Sequence, residues 1–345
     1  MIRDAISTLT EGSSLTQVNA TEVMSEIMSG DATEAQIGAF LTALRMKGET
    51  PEEIAGMAIT MRNKALRVET SFDLVDTCGT GGDRSNSFNV STAAAVVVAS
   101  AGVYVAKHGN RAASGTCGSA DLLEALGVKI DLAPEGVKKC IETAGIGFMF
   151  APIFHPAMKH VAKPRKEMGI RTVFNVLGPL TNPAGAKKQI IGIADRAQGE
   201  LLARVLGLLG SEHAMIVHGE DGLDEITISG KTMVWEVKNS EIQSYVLDSK
   251  ELGVSPNLLE QIKGESISDN VAMFRSVMEG QQGPCMDIVT LNAGAALYVA
   301  GVARSIKDGR EIAEDCIKRG TARTKIDQLA DISQSIGIED KEQAY

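Results

Sequence analysis

Aromatic residues are scarce in this sequence: they make up 4% of its 345 residues, and only one is tryptophan. Glycine is abundant, with 35 residues, and 44% of the chain is hydrophobic. This composition excludes wholesale disorder and collagen-like repeats. A chain rich in small apolar residues and poor in aromatic ones is typical of α/β proteins, where small side chains let helices pack close to strands.

The sequence also lacks a cysteine framework and a long hydrophobic run. Its five cysteines are an odd number and include no Cys-x-x-Cys pair, which argues against a disulfide scaffold and a zinc knuckle. The N-terminus has no basic segment followed by an apolar one, and the longest mostly apolar run, 90–106, is interrupted by Ser, Thr and Gly. We therefore expect a cytoplasmic protein with free thiols and no membrane segment.

Positive charge is in deficit: the sequence has 34 Lys and Arg and 44 Asp and Glu, so its net charge is −10. A protein this acidic gains little from releasing counterions, so we expect no binding to nucleic acid. A local basic pocket remains compatible with the overall charge.

Residues 1–70 are predicted to be helical only. Each predicted helix start pairs a side chain that can accept from free N–H groups with an acid or amide three residues later. The pairs are Asn19 with Glu22, Thr33 with Gln36, and Thr50 with Glu53. Three small helices bury little area alone, so we expect this bundle to pack on the rest of the chain or on a second subunit.

After residue 71, short β-like runs alternate with helical patterns. The predicted strands are 72–75, 103–106, 128–131, 146–150, 189–193 and 214–217. This alternation predicts an α/β fold: a small N-terminal helical bundle and a larger α/β domain whose mostly parallel central sheet is covered by helices. Residues 156–185 interrupt this alternation of strands and helices with two helix-like segments. We therefore predict a helical domain of 1–70 with 156–185, and an α/β domain of 71–155 with 186–345.

A glycine loop follows the first predicted strand, with Gly79, Gly81 and Gly82 before Asp83. Glycines let backbone amides approach anionic oxygens, and a polar cluster at 87–92 then begins a helix, where the dipole favours phosphate. The loop fits neither standard nucleotide fingerprint. A tight turn without a ligand, with Asn89 or Ser91 as an ordinary N-cap, remains an alternative.

A cationic loop follows the next predicted strand. Lys107, His108, Asn110 and Arg111 lie there, and Ser119 then begins a helix. Because the ends of neighbouring parallel strands meet, the two loops together predict a polyphosphate clamp in which Lys107 and Arg111 neutralise oxygens. A solvated loop with surface cations is the alternative.

Five segments carry a resemblance to a known family: 79–83, 89–92, 107–111, 118–121 and 171–183. They resemble the signature loops of the anthranilate phosphoribosyltransferases, and the resemblance covers nearly the whole chain. It implies transfer of the phosphoribosyl group of 5-phosphoribosyl 1-pyrophosphate (PRPP) to the amine of anthranilate, a step of tryptophan biosynthesis. It also implies a homodimer formed through the helical domain.

The resemblance implies two sets of substrate contacts. The residues that would hold PRPP are Gly79, Gly82, Asp83, Ser87, Asn89, Val90, Ser91, Thr92, Lys107 and Ser119. Those that would contact anthranilate are Gly79, His108, Asn110, Arg165 and Gly178. A planar guanidinium can hold a carboxylate through two parallel hydrogen bonds, which suits Arg165 to an aminobenzoate. A surface helix arginine is the alternative from the residues alone.

The resemblance further implies magnesium, with two ions per subunit held through Ser91, Asp224 and Glu225. Mg²⁺ needs only one or two protein carboxylates when substrate phosphates complete its shell. The alternative for this acidic stretch is a solvated turn. We assign no general base, because an aromatic amine is already nucleophilic, and we expect His108 to shape its loop.

Other functions stay open at this point. A pyrimidine nucleoside phosphorylase shares the architecture but does not need the acidic pair, and a non-enzymatic nucleic-acid-binding relative should show a basic face. Two departures from the family are Ser87, where Thr is common, and the variable stretch 114–117, which affects the detail of the phosphate contacts. We expect no fused amidotransferase domain in this length, and a separate amidotransferase partner is left open.

Overall fold

The computed structural model describes residues 1–112, 115–255 and 257–342, with side chains up to residue 336. Its helices are α1 (Ile2–Thr10), α2 (Gln17–Ser29), α3 (Glu34–Lys47), α4 (Pro51–Lys64), α5 (Val90–Ser100), α6 (Ser119–Ala125), α7 (Pro134–Ala144), α8 (Ala151–Phe154), α9 (Lys159–Met168), α10 (Phe174–Leu180), α11 (Gly199–Leu208), α12 (Ile267–Met278), α13 (Pro284–Ala300), α14 (Ile306–Lys318) and α15 (Thr321–Glu342). Its strands are β1 (Leu74–Gly79), β2 (Tyr104–Gly109), β3 (Ile146–Phe150), β4 (Lys188–Gly192), β5 (His213–Gly219), β6 (Lys231–Lys238) and β7 (Glu241–Asp248). Short 3-10 helices cover Pro156–Met158, Arg196–Gln198 and Leu259–Ile262.

Two predicted capping boxes are confirmed in the N-terminal bundle. The hydroxyls of Thr33 and Thr50 each accept from the backbone N–H three residues later. The side chains of Gln36 and Glu53 accept from the threonine N–H groups in return, at 2.8 Å each. Four free N–H groups are thereby satisfied, which fixes the starts of α3 and α4.

The third predicted cap was wrong. Thr16 is the N-cap of α2, and its hydroxyl accepts from the N–H of Asn19 at 3.1 Å. Asn19 and Glu22 therefore lie inside the helix, because a threonine three residues before Asn19 already occupies the capping position. A further helix, α1, precedes the three that were predicted.

The seven strands form one sheet in the order β3-β2-β1-β4-β5-β6-β7. The first five are parallel, and β6 and β7 are antiparallel. The predicted fold class, a helical N-terminal domain and a larger α/β domain with a mostly parallel sheet, is confirmed. The antiparallel hairpin was not predicted.

The strand predicted at 128–131 was wrong. Val128 and Ile130 are buried as an alternating pattern requires, but the backbone pairs with no strand in the described parts of the chain. The N–H of Lys129 instead donates to the hydroxyl of Ser333 on α15, at 2.9 Å. The alternation therefore reflects packing against a helix.

The first two strands extend further than predicted, into both candidate loops. β1 continues to Gly79 and β2 to Gly109. Lys107 and His108 are consequently strand residues and are buried.

Helices cover both faces of the sheet, and period-two alternation divides the strand residues between two cores. Ile190 and Met215 face a core formed with α5, α7 and α13. Ile191 and Ile216 face a second core, shared with α2, α3, α4 and α11. Apolar residues of α9 and α10 also lie in this second core. The exact domain boundaries stay a prediction.

None of the helices in the described ranges is both long enough and apolar enough to cross a membrane.

Candidate active site

The candidate site lies where the order of the sheet reverses direction. From β1 the chain proceeds to β2 and β3 on one side, whereas β4 and β5 lie on the other. Gly79 at the end of β1 is in register with Gly192 at the end of β4. In open α/β sheets, ligands bind beyond the carboxyl ends of the strands at such a switch point.

Two glycines admit the acidic loop 220–225 to this position. A Cβ on Gly192 would lie 1.5 Å from the carbonyl oxygen of Asp224, and one on Gly79 would lie 2.6 Å from Asp224 Oδ2. The N–H of Gly81 donates to Asp224 Oδ2 at 2.9 Å. The structure thus brings the glycine loop and the predicted metal pair together.

The acids of the site lie beside one another in a largely enclosed position. Burial, and secondly the charge of Asp83, raise the pKa of Asp224 to about 7. Burial and the charge of Asp224 raise the pKa of Glu225 well above its ordinary value, and Lys107 opposes that shift. Asp83 Oδ2 is buried with no hydrogen-bond partner among the described residues. Closely spaced carboxyl groups with an unpartnered oxygen are suited to a cation.

The described residues contain no cluster of three or more His, Cys, Asp or Glu side chains that could hold a metal by itself. Two carboxylates still fit Mg²⁺, which keeps waters and takes further oxygens from substrate phosphates. The donor set of Asp224 and Glu225 is therefore compatible with a metal that arrives with a polyphosphate.

Lys107 supplies a buried positive charge to the same site. Its ammonium donates to the carbonyl of Thr77 at 2.6 Å and to Ser91 Oγ at 3.3 Å. Burial lowers its pKa, and the charges of Asp76 and Glu225 oppose the shift. An ammonium has three donors, so one is available for an anion at the end of β2.

The N-terminus of α5 faces this lysine through Ser91, and Thr92 Oγ1 is buried without a partner in the described ranges. Asn89 occupies the N-cap position, but its side chain does not cap the helix. Its amide donates to the carbonyl of Cys117 at 3.1 Å and to Asn270 Oδ1 at 3.0 Å. Asn89 thus takes the N-cap position that the alternative gave it, but its side chain binds the second loop instead of capping the helix.

Asn270 on α12 was missed by sequence analysis. It is fully buried, and its Oδ1 also accepts from the backbone N–H of Asn89, at 3.1 Å. Nothing local marks it, because its partner lies 181 residues away in the chain. Ser87, in the loop before α5, forms an isolated bridge with Lys263.

The second loop departs from the predicted clamp at Arg111. Its guanidinium pairs with Asp121 and with Glu124, at 2.8 Å each, and is not directed at an anion site. Asn110 is exposed and accepts from the N–H of Arg111 at 2.8 Å. Ser119 packs on the end of β2, because a Cβ on Gly109 would lie 2.4 Å from its hydroxyl.

The variable stretch 114–117 lies partly outside the described residues, at Ser114.

Arg171 is a second residue that sequence analysis assigned no role. Its guanidinium donates to the carbonyl of Gly81 at 3.2 Å and to that of Gly82 at 3.5 Å. Both glycines have positive φ, of 63° and 79°, which turns their carbonyls toward it. Sequence analysis could have singled out Arg171, because it begins the stretch 171–183, one of the segments that carry the family resemblance.

Arg165 is a half-buried cation on α9. Its guanidinium lies 5.1 Å from the ring centre of Phe174, and burial lowers its pKa. In the part of the chain that the structure describes, it forms no ion pair. A Cβ on Gly178 would meet no described atom within 4 Å, so space remains beside that residue.

His108 and His155 form a neutral pair next to Gly178. Their ring centres are 5.0 Å apart. Burial lowers the pKa of His108 to about 3 and that of His155 to about 4, while hydrogen bonds to the backbone of Gly178 and Thr181 oppose the shifts. Neutral imidazoles with such low basicity suit positioning better than proton abstraction.

Two regions of the chain match families of known domains. Residues 71–323 match the glycosyl transferase family, a/b domain, and residues 3–65 match the glycosyl transferase family, helical bundle domain. A relative from Dehalococcoides mccartyi strain 195, an anthranilate phosphoribosyltransferase, is 52% identical over 338 residues, which cover 97% of this chain and 99% of the relative.

Solved structures agree with these matches. The anthranilate phosphoribosyltransferase of Thermus thermophilus has a TM-score of 0.91 at 43% identity, with 96% of this chain and 99% of that chain covered. The enzyme of Saccharomyces cerevisiae in complex with PRPP and Mg has a TM-score of 0.89 at 29% identity, with 97% and 98% covered. The yeast enzyme is also solved with 4-fluoroanthranilate, at a TM-score of 0.86 and 27% identity, with 97% and 99% covered.

The close approach at the strand ends predicts that Gly192→Ala is destabilising. Its Cβ would overlap a backbone carbonyl, so the strand or the acidic loop must move, at a cost of about 1–3 kcal/mol. Gly207→Ala, inside α11 with no described atom within 4 Å of the added Cβ, is the matched control and should be neutral or stabilising. Urea unfolding of both variants measures the difference, and equal midpoints would contradict the packing argument.

The histidine pair predicts a loss of stability in acid. Below the ordinary pKa of 6.5, His108 and His155 become protonated in the unfolded chain but stay neutral in the folded protein, because their pKa values are lowered there. The unfolding free energy is therefore highest above that pH and falls as pH drops, by up to about 1.4 kcal/mol per pH unit for each histidine. His155→Gln should reduce this slope between about pH 6 and about pH 5 in urea titrations. An unchanged slope would contradict the prediction.

Proposed function

The chain belongs to the anthranilate phosphoribosyltransferase family, and we infer from this membership that it transfers the phosphoribosyl group of PRPP to the amine of anthranilate. The products are N-(5-phosphoribosyl)anthranilate and pyrophosphate, and the step belongs to tryptophan biosynthesis. The observation that carries this conclusion is an identity of 52% over 97% of the chain.

We propose that the glycine loop, the start of α5 and the end of β2 hold PRPP. Free N–H groups at a helix N-terminus and a buried ammonium are suited to phosphate oxygens. The residues are Gly79, Gly82, Asp83, Ser87, Asn89, Val90, Ser91, Thr92, Lys107 and Ser119. As pyrophosphate leaves, negative charge grows on its oxygens, and Lys107 and the loop amides stabilise that charge.

We propose that Ser91, Asp224 and Glu225 hold magnesium, with two ions per subunit. The complex of the yeast enzyme with PRPP and Mg supports the choice of metal. The buried, unpartnered Asp83 Oδ2 and the close pair of acids in the described structure support its place. Bound Mg²⁺ neutralises the pyrophosphate oxygens as the leaving group departs.

We propose that anthranilate lies between Arg165, Gly178 and the end of β1. The half-buried guanidinium of Arg165 would grip the carboxylate, with Asn110, His108 and Gly79 close by. The aromatic amine attacks the anomeric carbon without a strong base. Catalysis then rests on positioning and on electrostatic stabilisation of the leaving group.

We also propose a cytoplasmic homodimer that associates through the helical bundle. Two apolar side chains of the bundle are largely exposed, Val18 at 65% and Met46 at 84%, and a second subunit would cover them. The five free cysteines are compatible with a reducing compartment.

The competing functions are not favoured. The near-full-length relative and the similar structures are anthranilate phosphoribosyltransferases. A nucleoside phosphorylase would not need the acidic pair Asp224 and Glu225, and the net charge of −10 counts against a nucleic-acid-binding protein.

The transfer itself predicts that anthranilate fluorescence disappears only when the protein, PRPP and Mg²⁺ are all present. Asp224→Asn keeps the acceptor for Gly81 but removes a charge, so half-maximal rate should need about tenfold more Mg²⁺. Glu220→Gln, the same charge change in the same loop, is the control and should match the wild type. Persistent fluorescence with folded wild-type protein would overturn anthranilate as the acceptor.

The guanidinium of Arg165 predicts a selective loss of acceptor binding. Arg165→Ala should raise the KM for anthranilate by about 10- to 100-fold, because a charge-assisted hydrogen-bond pair is lost. Arg165→Lys keeps the charge without the planar fork and should fall in between. Steady-state kinetics with each substrate varied in turn measure both constants, with the exposed Lys166→Ala on the same helix as control. A parallel rise in the KM for PRPP would contradict this role.

A further inference from the structure

Two successive backbone carbonyls at the end of α10, those of Pro179 and Leu180, each accept a hydrogen bond from a side chain in a different part of the fold. We call them the carbonyl run. The donors are Gln189 of β4 to Pro179 at 2.9 Å and Arg62 of α4 to Leu180 at 2.7 Å.

The last carbonyls of a helix have no partners within it, and α10 is only seven residues long. No glycine cap follows it, because Thr181 at the C-cap has a φ of −123°. The N–H of Thr181 donates to the carbonyl of Gly178 at 3.2 Å, and side chains from elsewhere bind the two carbonyls that follow. Gly178, which the proposed function places beside anthranilate, immediately precedes the carbonyl run.

Gln189, on β4 of the central sheet, binds the end of α10. It is in register with Asp76 on the neighbouring strand, and the two side chains reach the segment side by side. Asp76 Oδ2 accepts from the Asn182 amide at 2.8 Å, while Gln189 Nε2 donates to the carbonyl of Pro179. The same Asn182 amide also donates to the carbonyl of Ala106 at 2.8 Å.

The environment of Gln189 is costly for an amide. The side chain is fully buried, and its Oε1 has no partner in the described parts of the chain. A buried polar atom without a hydrogen bond is unfavourable, and an apolar side chain of similar shape would avoid this cost. The single bond to Pro179 is what the glutamine contributes and an apolar residue could not.

We propose that Gln189 is a positioning residue for the acceptor: by fixing the carbonyl of Pro179 it sets the position of Gly178 against anthranilate. This inference rests on the proposed function. The Gln189 side chain donates to the end of α10, and within the described residues it forms no hydrogen bond with the glycine loop or α5. Its loss should therefore act on anthranilate and leave PRPP unaffected.

The test is Gln189→Met, which keeps the length and volume and removes the donor. We expect the KM for anthranilate to rise about tenfold, with kcat and the KM for PRPP within about twofold of the wild type. Ser333→Ala is the control: it also removes a hydrogen bond of a fully buried side chain, which accepts from the N–H of Lys129 at 2.9 Å, and it lies on α15, in the core that does not contain α10. It should leave both KM values unchanged.

Thermal unfolding of each variant separates the kinetic effect from a loss of fold. If Gln189→Met does not fold, Gln189→Asn, whose amide is too short to reach Pro179, is judged by the same criteria. An unchanged KM for anthranilate, or equal changes in both KM values, in folded and active protein would overturn the positioning role alone. A wild-type protein that transfers nothing to anthranilate would overturn the proposed function, and this inference with it.

Discussion

The site depends on a backbone approach that only glycine permits. At the end of β4, the carbonyl of Asp224 occupies the space in which a Cβ of residue 192 would lie, and at the end of β1 its carboxylate does nearly the same at residue 79. The acidic loop therefore rests directly on the strand ends, at the switch point of the sheet. Without that approach, Asp224 would not reach the N–H of Gly81.

Charge balance explains which ligand suits this arrangement. Asp76 is buried, Glu225 is largely enclosed, and one buried cation, Lys107, lies among them. Enclosed carboxylates are costly unless they are paired, so the pKa values of Asp224 and Glu225 rise in the protein alone. The N-terminus of α5 favours a negative charge, whereas the carboxylates favour a cation. A polyphosphate that arrives with a divalent cation satisfies both requirements at once, whereas either ion alone satisfies only one.

Local patterns predicted the parts of the structure that local forces determine. The capping boxes at Thr33 and Thr50 and the start of α6 at Ser119 follow from neighbouring residues. The alternation at 128–131 was misassigned as a strand, because packing against α15 produces the same pattern as a sheet. Partners distant in sequence had no local signal, such as Asn270 with Asn89. The pairing of Arg111 with Asp121 and Glu124 was within reach of the sequence, since opposite charges follow within thirteen residues.

The loops at the strand ends and the end of α10 are held in place in different ways. This difference determines which of their residues can be predicted from the sequence alone. The glycine loop and the acidic loop, where we propose PRPP and magnesium bind, depend on glycines and on side chains at strand ends, which are visible as motifs. The end of α10, where we propose the acceptor binds, is held by side chains that bind the carbonyls of Pro179 and Leu180, and every residue has a carbonyl. Motifs therefore identify the residues at the strand ends, while the amide of Gln189 and the guanidinium of Arg62 are recognised only once the fold brings them to those carbonyls. If Gln189 positions the acceptor as we propose, a comparison of ligand-facing residues alone would overlook a buried residue on which acceptor binding depends.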